Sequence, residues 1–359
     1  MTGEILDRLA TLGLEEWPAT VSLTPDEVTA MLTLAPHEGA VCLLGAAVEQ
    51  GLVSLDAASA AAVTAAWQEA MAGVVQLDGL LVQVVAWLAE AGLDCRSLKG
   101  AAVATLDECA PSWRSYHDVD VLVPADRLLA AVDALVAGGL RPLLAPVSRS
   151  WAARFGKSIT LVHPSGMQVD VHRLLSPGVF GARIRPETLF AGGQEFHVGG
   201  VAVQALAAPH RFLHACYHAA LGGVRGARHR RDVLLLAGSV PVQEVEALWP
   251  DGWSATVVAA ALDWAVQDGA LLPDDWAAWR AAHVDERNDR ELLHSYSGPF
   301  GEQADASARA AGPLTRLRYS WPLLWPSRAH LRDRGRSRWQ HLTAVLRARR
   351  SRAGQESTS

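Results

Sequence analysis

The chain has 359 residues, half of them hydrophobic and 19% charged, with 32 Lys and Arg against 38 Asp and Glu for a formal net charge of −6. That length accommodates two or three domains, and that composition excludes a globally disordered chain. Cys42, Cys95, Cys109 and Cys216 lie far apart with no CxxC pair, a spacing that suggests neither a disulfide framework nor a zinc cluster and fits a reducing, cytoplasmic setting.

The first residues lack the basic start and apolar core of a secretory signal, and no later apolar run is expected to reach the roughly 18 residues of a membrane span. Residues 1–91 read as an N-terminal helical domain. Thr24-Pro25-Asp26-Glu27 has the form of a helix start, with Thr24 as cap and Glu27 at the capping-box position. Ala-rich stretches at 57–72 and 80–90 carry apolar residues at helical spacing, and Gly92 follows as a stop.

From Leu93 the texture alternates between strands and helices, and residues 92–206 read as a small mixed-sheet α/β core. Short strands are expected at 95–98, 118–123, 158–162 and 167–172, with helices at 101–109 and 125–137. His163-Pro164-Ser165-Gly166 is a turn signal, and Gly199-Gly200 centres a hairpin of the type I′ kind. Residues 207–312 return to helical spacing, and residues 313–359 form a basic, Arg-rich tail. The expected class is α+β, a small mixed-sheet core flanked by helical regions at both ends.

The charge is unevenly spread. Before Lys99 the only basic residues are Arg8 and Arg96, whereas from Arg316 onward arginines dominate. Such a tail can grip nucleic acid, but it can equally be solvated or dock on the acidic N-terminal region. Nucleic acid ranks below a smaller acceptor because the tail offers no regular aromatic platform for stacking bases.

Asp118-Val119-Asp120-Val121-Leu122-Val123 is the most informative segment. In a strand Asp118 and Asp120 share one face while the valines share the other, so two like charges sit side by side and call for a compensating cation. Asp170, in Val169-Asp170-Val171-His172, offers a third carboxylate on a strand that could lie beside the first. Three such acids suit two Mg²⁺ ions, with Mn²⁺ as a substitute, about 3.5–4 Å apart and clamping both oxygens of an in-line displacement at phosphorus. Upstream, the Lys99-Gly100-Ala101 turn between a strand and a helix could receive a triphosphate.

Leu98-Lys99-Gly100, Arg114, Asp118-Val119-Asp120, Val169-Asp170-Val171-His172, the His214/His218 pair and Arg231-Asp232 occur in an order that resembles an uncharacterised bacterial nucleotidyltransferase family of the DNA polymerase beta-like nucleotidyltransferase superfamily. Trp325-Pro326-Ser327-Arg328 also resembles its C-terminal pattern, so the resemblance spans roughly 92–332. It implies metal-dependent transfer of a nucleoside monophosphate from a nucleoside triphosphate (NTP) to a small-molecule, peptide or protein hydroxyl, with release of pyrophosphate. On that resemblance Asp118, Asp120 and Asp170 hold the metals, and Lys99, Gly100 and Arg114 face the nucleotide. His172, His214, His218 and Asp232 are candidates for the acceptor side. The Lys-Gly-Ala turn departs from the Gly-Ser or Gly-Gly of active superfamily members. A catalytically weak nucleotide-binding or partner-binding protein is therefore the alternative. His214 and His218, one helical turn apart, lack a third ligand for zinc and read as core or acceptor contacts.

Overall fold

The structure is a computed structural model that describes residues 2–17, 19–178, 181, 184–221, 226–249, 253–267, 269–283, 312–345 and 347. The chain is α+β, with a mixed sheet between helical layers. The last arginines of the tail, Arg349, Arg350 and Arg352, lie outside the described residues.

Helices α1 (Thr2–Ala10), α2 (Pro25–Glu38) and α3 (Val41–Glu49) form the N-terminal layer, joined by the short parallel pair β1 (Val21–Ser22) and β2 (Val53–Ser54). The capping box at Thr24 and Glu27 forms as the sequence predicts, and Gly39 closes α2 in the left-handed conformation at φ 68°. Helix α4 runs unbroken over Ala57–Glu90, joining the two stretches read separately in the sequence. Asp56 caps it by accepting the Ala58 and Ser59 amides at 2.9 Å. By length and composition α4 could cross a membrane. Here Val63 packs in the N-terminal core, and Val74, Leu77, Leu80, Leu81, Val84 and Leu88 pack against the sheet.

The sheet has seven strands in the order β5-β6-β7-β4-β3-β9-β8, assembled from β3 (Arg96–Ser97), β4 (Asp118–Leu122), β5 (Arg141–Pro142), β6 (Ser158–Val162), β7 (Gln168–His172), β8 (Gln194–Val198) and β9 (Val201–Ala205). Strand β4 is central. It runs parallel to β7 and antiparallel to β3, and β6 and β7 form the predicted hairpin. Gly199 and Gly200 turn the β8–β9 hairpin with φ of 56° and 82°, the pair of positive values a type I′ turn needs. Helix α5 (Ala101–Leu106) is shorter than expected, α6 (Leu128–Ala137) covers one sheet face, and α7 (Arg149–Phe155), absent from the sequence reading, precedes β6.

The alternation along β4 explains how the sheet carries acids. Val119, Val121 and Val123 are buried with α4 and α6, while Leu122 on the opposite face joins a second core. That core belongs to α8 (Ala208–Leu221), α9 (Ala227–Ala237), α10 (Val242–Glu246), α11 (Trp253–Ala265) and α12 (Asp274–Ala282). Asp118 and Asp120 share the Leu122 face, nearer the start of the strand. In the tail, α13 (Pro313–Leu324) packs against α7, and α14 (Arg328–Asp333) and the residue before it bond to the 145–147 segment. Ser327 N–H donates to the Val147 carbonyl at 2.8 Å, and Asp333 accepts the Ala145 amide at 2.8 Å.

Candidate active site

The β4–β7 register sets Asp120 directly opposite Asp170, so the two carboxylates emerge side by side on one face of the sheet. His172 lies two residues beyond Asp170 on that same face, and its Nε2 is 2.9 Å from Asp120 Oδ1 and 4.0 Å from Asp170 Oδ2. Donor atoms of Asp120, Asp170 and His172 all fall within 4.8 Å of one another, the spread expected of ligands around one cation. Asp118, one turn of the pleat before Asp120, sits at the more open edge of this cluster.

Three cations face these acids. The Lys99 ammonium is 3.0 Å from Asp120 Oδ2 and 3.6 Å from Asp118 Oδ2, bridging the pair. Lys157, in the loop before β6, is within electrostatic reach of Asp120, Asp170 and Asp118. Arg228, in the first turn of α9, is within electrostatic reach of Asp118 and Asp120. Thr160, paired with Asp170 across the β6–β7 hairpin, donates its hydroxyl to the Asp170 carboxylate.

The electrostatics follow from burial and crowding. Burial raises the Asp118 carboxyl above its ordinary range, and the neighbouring Asp120 charge pushes it further up. Burial works against the Lys99 charge, but Asp120 and Asp118 outweigh it and raise the ammonium above its usual value. Burial depresses Lys157, with only partial compensation from Asp120. His172 is pushed down to about 3, first by burial and then by Lys157, which makes it a neutral imidazole at neutral pH.

The sequence-predicted residues do not all converge. Asp118, Asp120, Asp170, Lys99 and His172 come together. Gly100, at φ 57° and ψ −112°, makes the sharp entry to α5 and packs against the Tyr116 ring, where an added Cβ would be 3.3 Å from ring atoms. Arg114 is buried, with Nη1 and Nη2 both donating to Asp232, and this pairing joins the segment before β4 to α9. Burial would raise the Asp232 carboxyl, but the Arg114 guanidinium holds it below the ordinary carboxylate range. His214 and His218 stack at 6.0 Å, and His218 meets His229 at 4.6 Å, forming an imidazole row in which His214 and His229 are buried and His218 is half-buried. Among the described residues, the Asp120, Asp170 and His172 group alone has metal-ligand spacing.

Lys157 and Arg228 were not singled out from the sequence. The signal for Lys157 is its position in Gly156-Lys157-Ser158, immediately before the strand that pairs with the Asp170 strand. For Arg228 it is the i, i+4 spacing to Asp232 on one helix face.

The model of a family described as an uncharacterised nucleotidyltransferase matches residues 24–238. The chain belongs to that family. The matched span leaves out α1 and β1 and takes in α2 to α9 with the whole seven-stranded sheet, so every residue of the acidic cluster and its three cations lies inside it. It ends well before the Trp325 to Arg328 pattern of the tail. Among solved structures, an antigenic nucleotidyltransferase-like protein from Paracoccidioides brasiliensis is similar at 15% identity and a TM-score of 0.35, over 58% of this chain and 93% of that one. The antibiotic-resistance factor ANT(2'')-Ia is similar at 16% identity and a TM-score of 0.33, over 60% of this chain and 96% of that one. No curated protein matches the chain.

Proposed function

We propose that this nucleotidyltransferase uses Asp118, Asp120 and Asp170 to hold divalent metal and transfers a nucleoside monophosphate from an NTP to a hydroxyl-bearing acceptor, releasing pyrophosphate. The observation that carries the reading is the register that sets Asp120 opposite Asp170 on the central strand pair, with Asp118 and His172 beside them. The donor set fits Mg²⁺ or Mn²⁺. Carboxylate oxygens predominate, and Asp120 Oδ2 is buried with the Lys99 ammonium as an ion-pair neighbour but no well-aligned hydrogen bond. When bound, such ions polarise the phosphoryl oxygens and lower the barrier for an oxygen nucleophile.

The chain's own residues do the rest. Lys99, Lys157 and Arg228 offset the three acids without any ligand, so adding metal alone would leave the cluster overcharged. Metal arriving with a triphosphate adds little net charge, and the three cations then become available to the phosphate oxygens. Asp170, with one oxygen held by Thr160, accepts on its carboxylate the proton that leaves the acceptor's hydroxyl oxygen. His172 fixes the Asp120 carboxylate through its Nε2 contact.

The test is pyrophosphate release by the full chain with Mg²⁺ and each of the four NTPs, water serving as a slow acceptor. Release that falls at least about 100-fold in Asp170→Asn supports the reading, in the range of removing a positioned acid–base group. Undiminished release in that variant, or no NTP binding by the folded wild type, refutes it.

A further inference from the structure

Next to the carboxylate cluster lies a cleft of about 380 Å³, lined by Trp151, Phe155, Lys157, Tyr217, His218 and Tyr319 among others. Its volume is that of a small-molecule site. The wall is assembled from three distant parts of the chain: Trp151 and Phe155 from α7, Tyr217 and His218 from α8, and Tyr319 from α13. Tyr319 meets Trp151 at 5.5 Å and Phe155 edge-on at 5.2 Å, and the Trp151 indole N–H donates to the Tyr319 carbonyl at 2.9 Å. The aromatic wall is therefore held in place by packing and a hydrogen bond.

Two observations tie the cleft to the acids. Lys157 belongs to both, lining the cleft while its charge reaches Asp120 and Asp170. Ser158, the next lining residue, is paired with His172 across the hairpin. A molecule in the cleft thus has its polar end at Lys157 and, beyond it, the acids.

Charge narrows the occupant. Among the described lining residues there is no Asp or Glu, and the ionisable ones are Lys157, His218 and the tyrosines. Within the cleft itself a polycation would meet the Lys157 ammonium and no carboxylate among the described lining residues, which disfavours it by repulsion and by desolvation without a partner. An anionic group would find Lys157, and a planar ring would find faces and edges of Trp, Phe and Tyr.

We infer that this cleft is the acceptor site and that it takes a ring-bearing, uncharged or anionic small molecule whose hydroxyl is presented past Lys157 to the carboxylates. The assignment rests on the transferase reading above. The step is in-line: the acceptor oxygen forms a bond to the α-phosphorus, the bond from that phosphorus to the pyrophosphate oxygen breaks, and the hydroxyl proton leaves to Asp170.

Saturation-transfer NMR on the full chain, with N-acetyl-tyrosine, N-acetyl-serine and tyramine as probes, tests it. N-acetyl-tyrosine, ring-bearing and anionic, is expected to bind about tenfold more tightly than the ringless anion or the ring-bearing cation, the scale of one buried ring contact. Tyr319→Leu is expected to erase that preference while leaving Mg²⁺-ATP affinity, measured by calorimetry, unchanged. Phe155→Leu gives the same readout if Tyr319→Leu does not fold. Equal binding of the three probes, preference for tyramine, or no binding of N-acetyl-tyrosine by folded protein overturns the assignment. Loss of ATP affinity in either variant also overturns it, because it would place the nucleoside base in the cleft. Ring-selective binding without any NTP binding would instead sink the transferase reading and leave a ring-binding cleft.

Discussion

Asp118 and Asp120 are neighbours in sequence and on one face of the sheet, yet they have opposite energetics. Asp118 is partly open and its carboxyl is raised by burial and by Asp120, so Asp118→Asn relieves repulsion and is expected to leave stability unchanged or up to about 1 kcal/mol higher. Asp120 is buried between Lys99 and His172, so Asp120→Asn removes the charge that partners the ammonium and is expected to cost on the order of 3 kcal/mol. Urea melts of both variants check this. Equal effects would mean that the two acids share one environment. The histidines give a pH dependence of definite sign. His172 is held down to about 3 and His229 to about 4, and burial also lowers His214 and His218. The unfolded chain takes up those protons at the ordinary value of 6.5 while the folded chain does not. This contribution to stability is present above that value and is lost as pH falls from it toward 3. Each buried imidazole adds up to about 1.4 kcal/mol per pH unit. The urea midpoint should therefore drop markedly between pH 7.5 and pH 5. A flat midpoint would contradict the neutral imidazole row.

At the scale of elements, the site depends on joints between segments far apart in sequence. Arg114 and Asp232 tie the approach to β4 onto α9, the helix that carries Arg228. Arg114→Met should cost about 3–5 kcal/mol by leaving Asp232 buried and unpaired, and should also weaken nucleotide binding by displacing Arg228. Unchanged stability would contradict the joint. At α4, Asp56→Ala removes a cap and should lower the unfolding midpoint without affecting the site, which thermal unfolding checks. These elements also show what was legible in the sequence. The Thr24 capping box, the β6–β7 hairpin and the Gly199-Gly200 turn are local patterns, and each forms where its residues dictate. The alternation of Asp and Val in β4 and β7 placed acids on one face, but only the sheet order made the two strands neighbours. The Arg114 partner, 118 residues away, left no local trace, because an ion pair between segments is decided by packing. The same holds for Lys157 and Arg228, whose relation to the acids exists only in three dimensions.

On the scale of the whole molecule, the three larger cores among the described residues bring three chain regions around one acidic centre. The N-terminal core meets α9 through Ala227, the sheet core carries the valines of β4, and the α8–α12 core backs Leu122. The tail closes the aromatic cleft with Tyr319 while Arg328, Arg332 and Arg336 stay exposed. The balance of Lys99, Lys157 and Arg228 against Asp118, Asp120 and Asp170 makes a joint prediction for metal and nucleotide. The most direct measurement is Mn²⁺ binding by water-proton relaxation, with and without a non-hydrolysable ATP analogue, on the wild type and on Asp120→Asn/Asp170→Asn. Weak binding of Mn²⁺ alone, strong enhancement by the analogue, and loss of that enhancement in the folded double variant are the predicted results. Equal Mn²⁺ binding by both proteins, or no enhancement by the analogue in the wild type, would contradict the account.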